Sequence, residues 1–259
     1  LGAQSFDNTL LNILGRTHKN RAIFEAIDLA LAAGIKNISI DLMYEIPHQS
    51  LSRFKNTLLT LKNLPISHLS LYNLQIEENT PFFRKKKVLT PHLPTEEEGL
   101  QMLNMACTIL EEMGLKRYEI SAFAKKGKES RHNLGYWTGR PFLGLGPSAF
   151  SFYEGKRFRN VANLTAYKKA LKVGKAPIDF DEKLPYPNNV HEQIAIGLRV
   201  FDGICLKTFE KEVASLPKLL KETLQALETE GLIHNTSQKI SLSEKGRLFY
   251  DTVAESIVL

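Results

Sequence analysis

With 259 residues, 43% of them hydrophobic and 24% charged, the chain can form one large domain or one large and one small one, and its composition is that of a globular protein. Its two cysteines, Cys107 and Cys205, form no CxxC pair, which excludes a disulfide scaffold and a zinc site and fits a cytoplasmic compartment. No apolar run approaches the roughly 18 to 20 residues of a membrane helix, while the net charge of +6 favours anionic partners: phosphates, carboxylates, nucleic acid or an acidic membrane surface.

The chain opens on Leu1-Gly2-Ala3-Gln4-Ser5-Phe6, without Met or a basic leader, and reads as cut inside a domain. Asp7 is placed to cap a helix through Leu14. A second helix runs from about Lys19 to Ala33 and stops at Gly34. The apolar run from Asn37 to Met43 reads as a strand, Leu51 to Leu61 as a helix, and His68 to Gln75 as a strand. After a Lys-rich connection containing Arg84-Lys85-Lys86-Lys87, Thr95 and Glu98 form a capping box for a helix to Met113. Tyr118 to Ser121 reads as a further strand. Strand and helix alternating at this spacing predict βα units on a parallel sheet, with the polar groups Asp41, Gln75 and Ser121 at strand ends on the active face. Three or four such units are too few to close a barrel.

From Ser130 the texture changes to the string His132-Asn133-Leu134-Gly135-Tyr136-Trp137, followed by the small-residue loop 144–149. A helix over Leu164 to Lys172 leads into a Pro-containing linker, 174–188. The remainder reads as three helices, a hairpin around 232–242 and a final helix after Ser243, a winged-helix-like pattern. The expected domains are therefore 1–174 and 175–259.

Three polar groups at βα positions, Gln4, Arg16 and Asp41, suit an amino-acid cofactor bearing a ribose. A guanidinium pairs with an α-carboxylate, and an amide or carboxylate bonds hydroxyl or amino groups. Each is equally a surface charge or loop cap when taken alone. In the aromatic string, His132 is a competent haem-iron ligand, and Tyr136 and Trp137 can pack on a flat ring; a plain aromatic lid is the other reading. The remaining histidines show no metal-ligand spacing, and both thiols read as buried structural groups.

In order along the chain, Gly2-Ala3-Gln4-Ser5-Phe6 with Leu14-Gly15-Arg16-Thr17-His18, the run from Ile40 to Pro47, His68-Leu69-Ser70-Leu71-Tyr72, the run from Tyr118 to Ala124, the His132 to Trp137 string and the loop 144–149 resemble the oxygen-independent coproporphyrinogen III oxidase-like group of radical S-adenosylmethionine proteins. The string resembles the mark of that group's haem chaperone branch. The resemblance implies an α/β fold, the C-terminal part of a radical-SAM-type (β/α) partial barrel plus the winged-helix-like domain. It implies S-adenosylmethionine contacts at Gln4, Arg16, Asp41, Gln75 and Phe150, and haem at His132, Tyr136 and Trp137 with His132 on the iron. It also implies a 4Fe–4S cluster held by a CxxxCxxC loop that these residues lack, so the chain is expected to be the C-terminal two-thirds of a longer protein and inactive in cofactor cleavage by itself. Glu45 and His48 stand where the group has glycine, so the turn after Asp41 is expected to differ from a left-handed one.

The implied function is haem binding and transfer to an unidentified acceptor apoprotein. The alternative is oxidative decarboxylation of coproporphyrinogen III. A nucleic-acid-binding winged helix is disfavoured, because Glu222, Glu228 and Glu230 interrupt the cations of the tail.

Overall fold

The computed structural model describes residues 1–258, which form two compact units, Leu1–Ser130 and Arg131–Leu259. The first contains β1 (Gly2–Gln4), α1 (Asn8–Ile13), α2 (Asn20–Ala32), β2 (Ser39–Tyr44), α3 (Leu51–Leu61), β3 (His68–Asn73), α4 (Pro81–Arg84), α5 (Lys86–Leu89), α6 (Glu96–Glu112), β4 (Lys116–Glu119) and β5 (Ala122–Ala124). The strands make one open sheet in the order β1-β2-β3-β5-β4. The pairs β1–β2 and β2–β3 are parallel, as the βα alternation requires. Beyond β3 the sheet departs from the expected run: β5 is antiparallel to both β3 and β4. The residues read as one strand ending at Ser121 are β4 followed by a tight turn at Ile120-Ser121, so a hairpin closes this side of the sheet.

The two faces of the sheet differ in chemistry. Ala3, Ile40, Leu42, Leu69, Leu71 and Phe123 are almost fully buried and share a core with Ile27 of α2, Phe54 and Leu58 of α3, and Met102 and Leu110 of α6. The alternate positions carry Ser39, Asp41 and Met43 on β2, in register with His68, Ser70 and Tyr72 on β3. Side chains of one strand alternate between faces, so the face away from the helices is polar. The helix ends are fixed locally: Asp7 accepts from the Thr9 and Leu10 amides, and Thr95 and Glu98 complete the capping box.

The second unit contains α7 (Arg131–Trp137), β6 (Phe150–Tyr153), β7 (Lys156–Asn160), α8 (Leu164–Lys172), β8 (Ile178–Glu182), α9 (Asn188–Gly197), β9 (Ile204–Cys205), α10 (Leu206–Glu212), α11 (Lys218–Thr229), β10 (Ile233–Asn235), β11 (Lys239–Leu242), α12 (Glu244–Leu248) and α13 (Tyr250–Val258). The compact units part at Ser130/Arg131, whereas the sequence reading sets the division at 174/175. The segment read as a linker contains β8, which pairs antiparallel with β7 across that boundary. Arg157 reaches Glu182 at 2.7 Å and Arg159 reaches Asp179 at 3.0 Å, so the pairing is also ionic. Residues 131–174 accordingly belong with the C-terminal unit. From α9 onward, five helices and the sheet β10-β11-β9 give the winged-helix-like arrangement, with Ile194, Leu220, Leu224, Ile240, Leu242 and Val253 in its core.

Candidate functional site

In the first unit the candidates lie along the parallel strands. Gln4 ends β1 in a left-handed conformation, φ 66°. Gly2, two residues before it, is the register partner of Asp41. A side chain on Gly2 would come within 2.9 Å of Gln4 Nε2, so the glycine keeps space for that amide. Asp41 lies inside β2 rather than at its end, on the polar face. Arg16 is exposed in the loop between α1 and α2, and Gln75 is exposed two residues past β3. Ser121, expected at a strand end, occupies the β4–β5 turn.

Near Asp41 the polar face carries a network that sequence reading missed. Buried His68 bonds Ser39 Oγ through Nδ1 at 2.8 Å and Tyr118 Oη through Nε2 at 2.9 Å. The Ser130 amide donates to the same Tyr118 oxygen at 3.1 Å. Burial pushes the His68 pKa down, although Asp41 and Glu129 act to raise it. Burial pushes the Tyr118 phenol up to about 12. A neutral imidazole and an un-ionised phenol are the forms such a network holds. The lone histidine carried no spacing signal; only strand register brings it beside Ser39.

A cleft of about 500 Å³ is lined by Leu14, Gly15, His48, Thr80, Phe82 and Lys85, among others. These residues come from the connections that follow β1, β2 and β3, the side on which open parallel sheets place ligands. The turn after β2 corrects the expectation for Glu45 and His48: both are left-handed, φ 60° and 64°. The fold accommodates Glu45 by laying its side chain over Gly99 of α6, where a Cβ would overlap Glu45 Oε1 and stand 2.9 Å from Cδ. Burial pushes the Glu45 carboxyl pKa up, against a hydrogen bond with Asn73 that lowers it. The His48 ring stacks on His92 with centroids 4.0 Å apart.

In the second unit the aromatic string forms α7. His132 is exposed and sits edge-on to Tyr136, centroids 4.6 Å apart. Tyr136 is itself edge-on to Phe142 at 4.6 Å and lies 6.4 Å from Trp137. Gly135 lies against the Arg140 guanidinium, which a Cβ would overlap, and Arg140 Nη2 donates to the Arg131 carbonyl at 3.0 Å. Phe150 is exposed on β6, edge-on to Phe180 at 6.2 Å, so the five cofactor candidates are divided between the two units. Cys107, expected to be buried, is half-buried on α6. Cys205 is not buried: it is exposed at the start of α10.

Residues 184–249 match the HemN C-terminal domain family. The heme chaperone HemW of Bacillus subtilis (strain 168) is 33% identical over 253 residues, which cover 97% of this chain and 67% of that protein. The chain belongs to the heme chaperone HemW family. HemW of Lactococcus lactis is 31% identical over 260 residues, covering all of this chain and 68% of the relative; this chain therefore spans about two-thirds of the length of HemW. The solved structure of coproporphyrinogen III oxidase (HemN) from Escherichia coli, a radical SAM enzyme, superposes with a TM-score of 0.82 at 20% identity, over 99% of this chain and 62% of that one. The HemW-family chain thus has the radical SAM fold of HemN. Among the described residues, no helix is long and apolar enough to cross a membrane.

Proposed function

We propose that the chain binds haem at the exposed end of α7 and passes it to an acceptor apoprotein, as a haem chaperone built on a radical SAM scaffold. The observation that carries the reading is the exposed His132 imidazole, set edge-on at 4.6 Å against Tyr136. An exposed imidazole can approach a haem iron, and its aromatic neighbours limit its freedom before the ligand arrives. The name shared by the HemW relatives supports the same reading, and two free cysteines without a disulfide partner agree with a cytoplasmic location.

S-adenosylmethionine suits the first unit. Gln4 and Asp41 offer an amide and a carboxylate on neighbouring strands of the polar face, and Arg16 offers a guanidinium for an α-carboxylate. Gln75 is a further contact in this reading. When bound, that cofactor supplies radical chemistry. The residues described here do not suit a 4Fe–4S cluster: no three His, Cys, Asp or Glu side chains among them are grouped to hold a metal ion. Thiolates for it would come from outside these 259 residues.

Haem titration of the wild type and His132→Ala tests the reading. The variant should lose the axial-ligand signature of the Soret band and bind at least about tenfold more weakly, about 1.4 kcal/mol. An unchanged band and affinity would sink the assignment. Anaerobic turnover of coproporphyrinogen by the full-length protein, with no haem transfer, would replace it by an oxidase.

A further inference from the structure

Trp137, the only tryptophan of the chain, ends α7 and is half-buried, with an indole Nε1 that is buried and makes no hydrogen bond. A buried donor left unpaired is a cost, so the ring is held in place by something else. The guanidinium of Arg199 lies over it, 4.4 Å from the ring centroid. The same guanidinium lies 4.9 Å from the ring of Tyr250, whose hydroxyl donates to the Ala195 carbonyl at 3.1 Å. One planar cation thus lies over two aromatic rings and joins α7, the segment just after α9 and the start of α13. Gly197 completes the contact: a Cβ there would stand 3.6 Å from the Trp137 carbonyl and 2.9 Å from Ile204.

We infer that Arg199 is the positioning residue of the aromatic string: by holding Trp137 it fixes the rotation of α7, and with it the direction in which Tyr136 and His132 are presented. The inference rests on the haem reading of α7. A contact series connects the two ends, from His132 to Tyr136 at 4.6 Å, Tyr136 to Trp137 at 6.4 Å, and Trp137 to Arg199 at 4.4 Å. Arginine suits the place because its guanidinium is flat, permanently charged and weakly hydrated, so it stacks on two rings at once; the compact, strongly hydrated ammonium of lysine does not. The assignment also gives the C-terminal region a task. Arg199 lies within the segment that matches the HemN C-terminal domain, so that domain braces the haem string. Trp137 then serves as an anchor for the helix, with one ring face already covered by Arg199, and the ligand surface is left to His132 and Tyr136.

The experiment compares the wild-type chain with Arg199→Met, Arg199→Lys, Tyr250→Leu and His132→Ala, recording far-UV circular dichroism, Trp137 emission without haem, and the Soret titration with haem. Arg199→Met keeps an unbranched stem and removes the planar cation. It should fold, shift the Trp137 emission and weaken haem binding about tenfold, and Arg199→Lys should recover part of both. His132→Ala should leave the emission unchanged while losing the Soret signature. If Arg199→Met does not fold, Tyr250→Leu, which removes the second ring beside Arg199 together with the hydroxyl bond to Ala195, should shift the emission and weaken haem binding severalfold. Wild-type haem affinity and Soret band in a folded Arg199→Met or Tyr250→Leu variant overturn this inference alone. A wild type that gives no Soret band overturns the haem reading and the inference with it.

Discussion

Gly99→Ala should destabilise the chain by about 1–2 kcal/mol, yet stabilise it once Glu45 is glycine. Glu45 occupies the left-handed region at φ 60°, a conformation that costs a residue with a side chain about 1–2 kcal/mol. Its carboxylate lies over Gly99 and is bonded with Asn73. An alanine methyl at position 99 would overlap Oε1 and stand 2.9 Å from Cδ and 3.3 Å from Cγ, so the side chain must swing away and lose its partner. A hydrogen bond to a charged group contributes about 1.5–3 kcal/mol. Against this, glycine to alanine inside a helix gains about 1 kcal/mol. In the Glu45→Gly background the obstruction is gone and only the helical gain remains, so the two substitutions should couple by about 2 kcal/mol. Urea denaturation of the four proteins of the cycle, followed by far-UV circular dichroism, measures this. Additive effects, with a coupling below about 0.5 kcal/mol, would refute the reasoning.

Two further outcomes follow from titratable groups in the first unit. Burial acts to raise the Asp7 pKa, but the Thr9 and Leu10 amides and Arg53 together hold it below its ordinary value of 3.8. Its stabilisation is therefore complete above that value and is lost as pH falls through the lowered pKa. Asp7→Asn keeps a capping acceptor and loses the ion pair, about 0.5–1 kcal/mol, whereas Asp7→Ala also loses the cap, about 1 kcal/mol more. Equal losses in the two variants, read from urea midpoints, would count against the cap. For His68 the folded pKa is lowered from 6.5, chiefly by burial, so stability is complete above that value and is lost as pH falls below it. Urea midpoints should drop from about pH 6.5 to 5 in the wild type and much less in His68→Gln; an NMR titration placing the imidazole at or above 6.5 would contradict the buried network.

The helices and parallel strands of the first unit were legible because their signals are local. Asp7, Thr95 and Glu98 are capping residues by chemistry, and the apolar runs containing Ile40 and Leu69 suit strands buried against helices. The β4–β5 hairpin was hidden because its turn, Ile120-Ser121, contains no glycine, proline or asparagine. The β6-β7-β8 sheet was hidden because its strands are short, β7 and β8 are charged, and the prolines flanking β8 gave it the look of a linker. Gln4, Arg16 and Asp41 were singled out by residue type alone; the structure sets Asp41 inside β2 and Arg16 between α1 and α2, and their cofactor role is a proposal. The network at His68 and the clamp at Arg199 depend on contacts 29 and 62 residues apart in sequence, Ser39 to His68 and Trp137 to Arg199, and no local pattern carries that information. Glu45 shows the opposite error: a rule about left-handed residues was sound, but a compensating glycine on another element made the exception affordable.

The edge strand β8 has a bearing on how copies of the chain meet one another. It lies at one margin of its sheet and exposes Ile178 and Phe180, an apolar, unpaired edge of the kind that recruits a second strand and seeds aggregation. Its other three residues are Asp179, Asp181 and Glu182. Asp179 and Glu182 are already paired with Arg159 and Arg157 of β7, so the acidic strand is matched to its intramolecular partner and not to a like edge carrying the same charges. The charges that tie β8 to β7 inside the molecule are the same ones that a second copy's edge would have to meet.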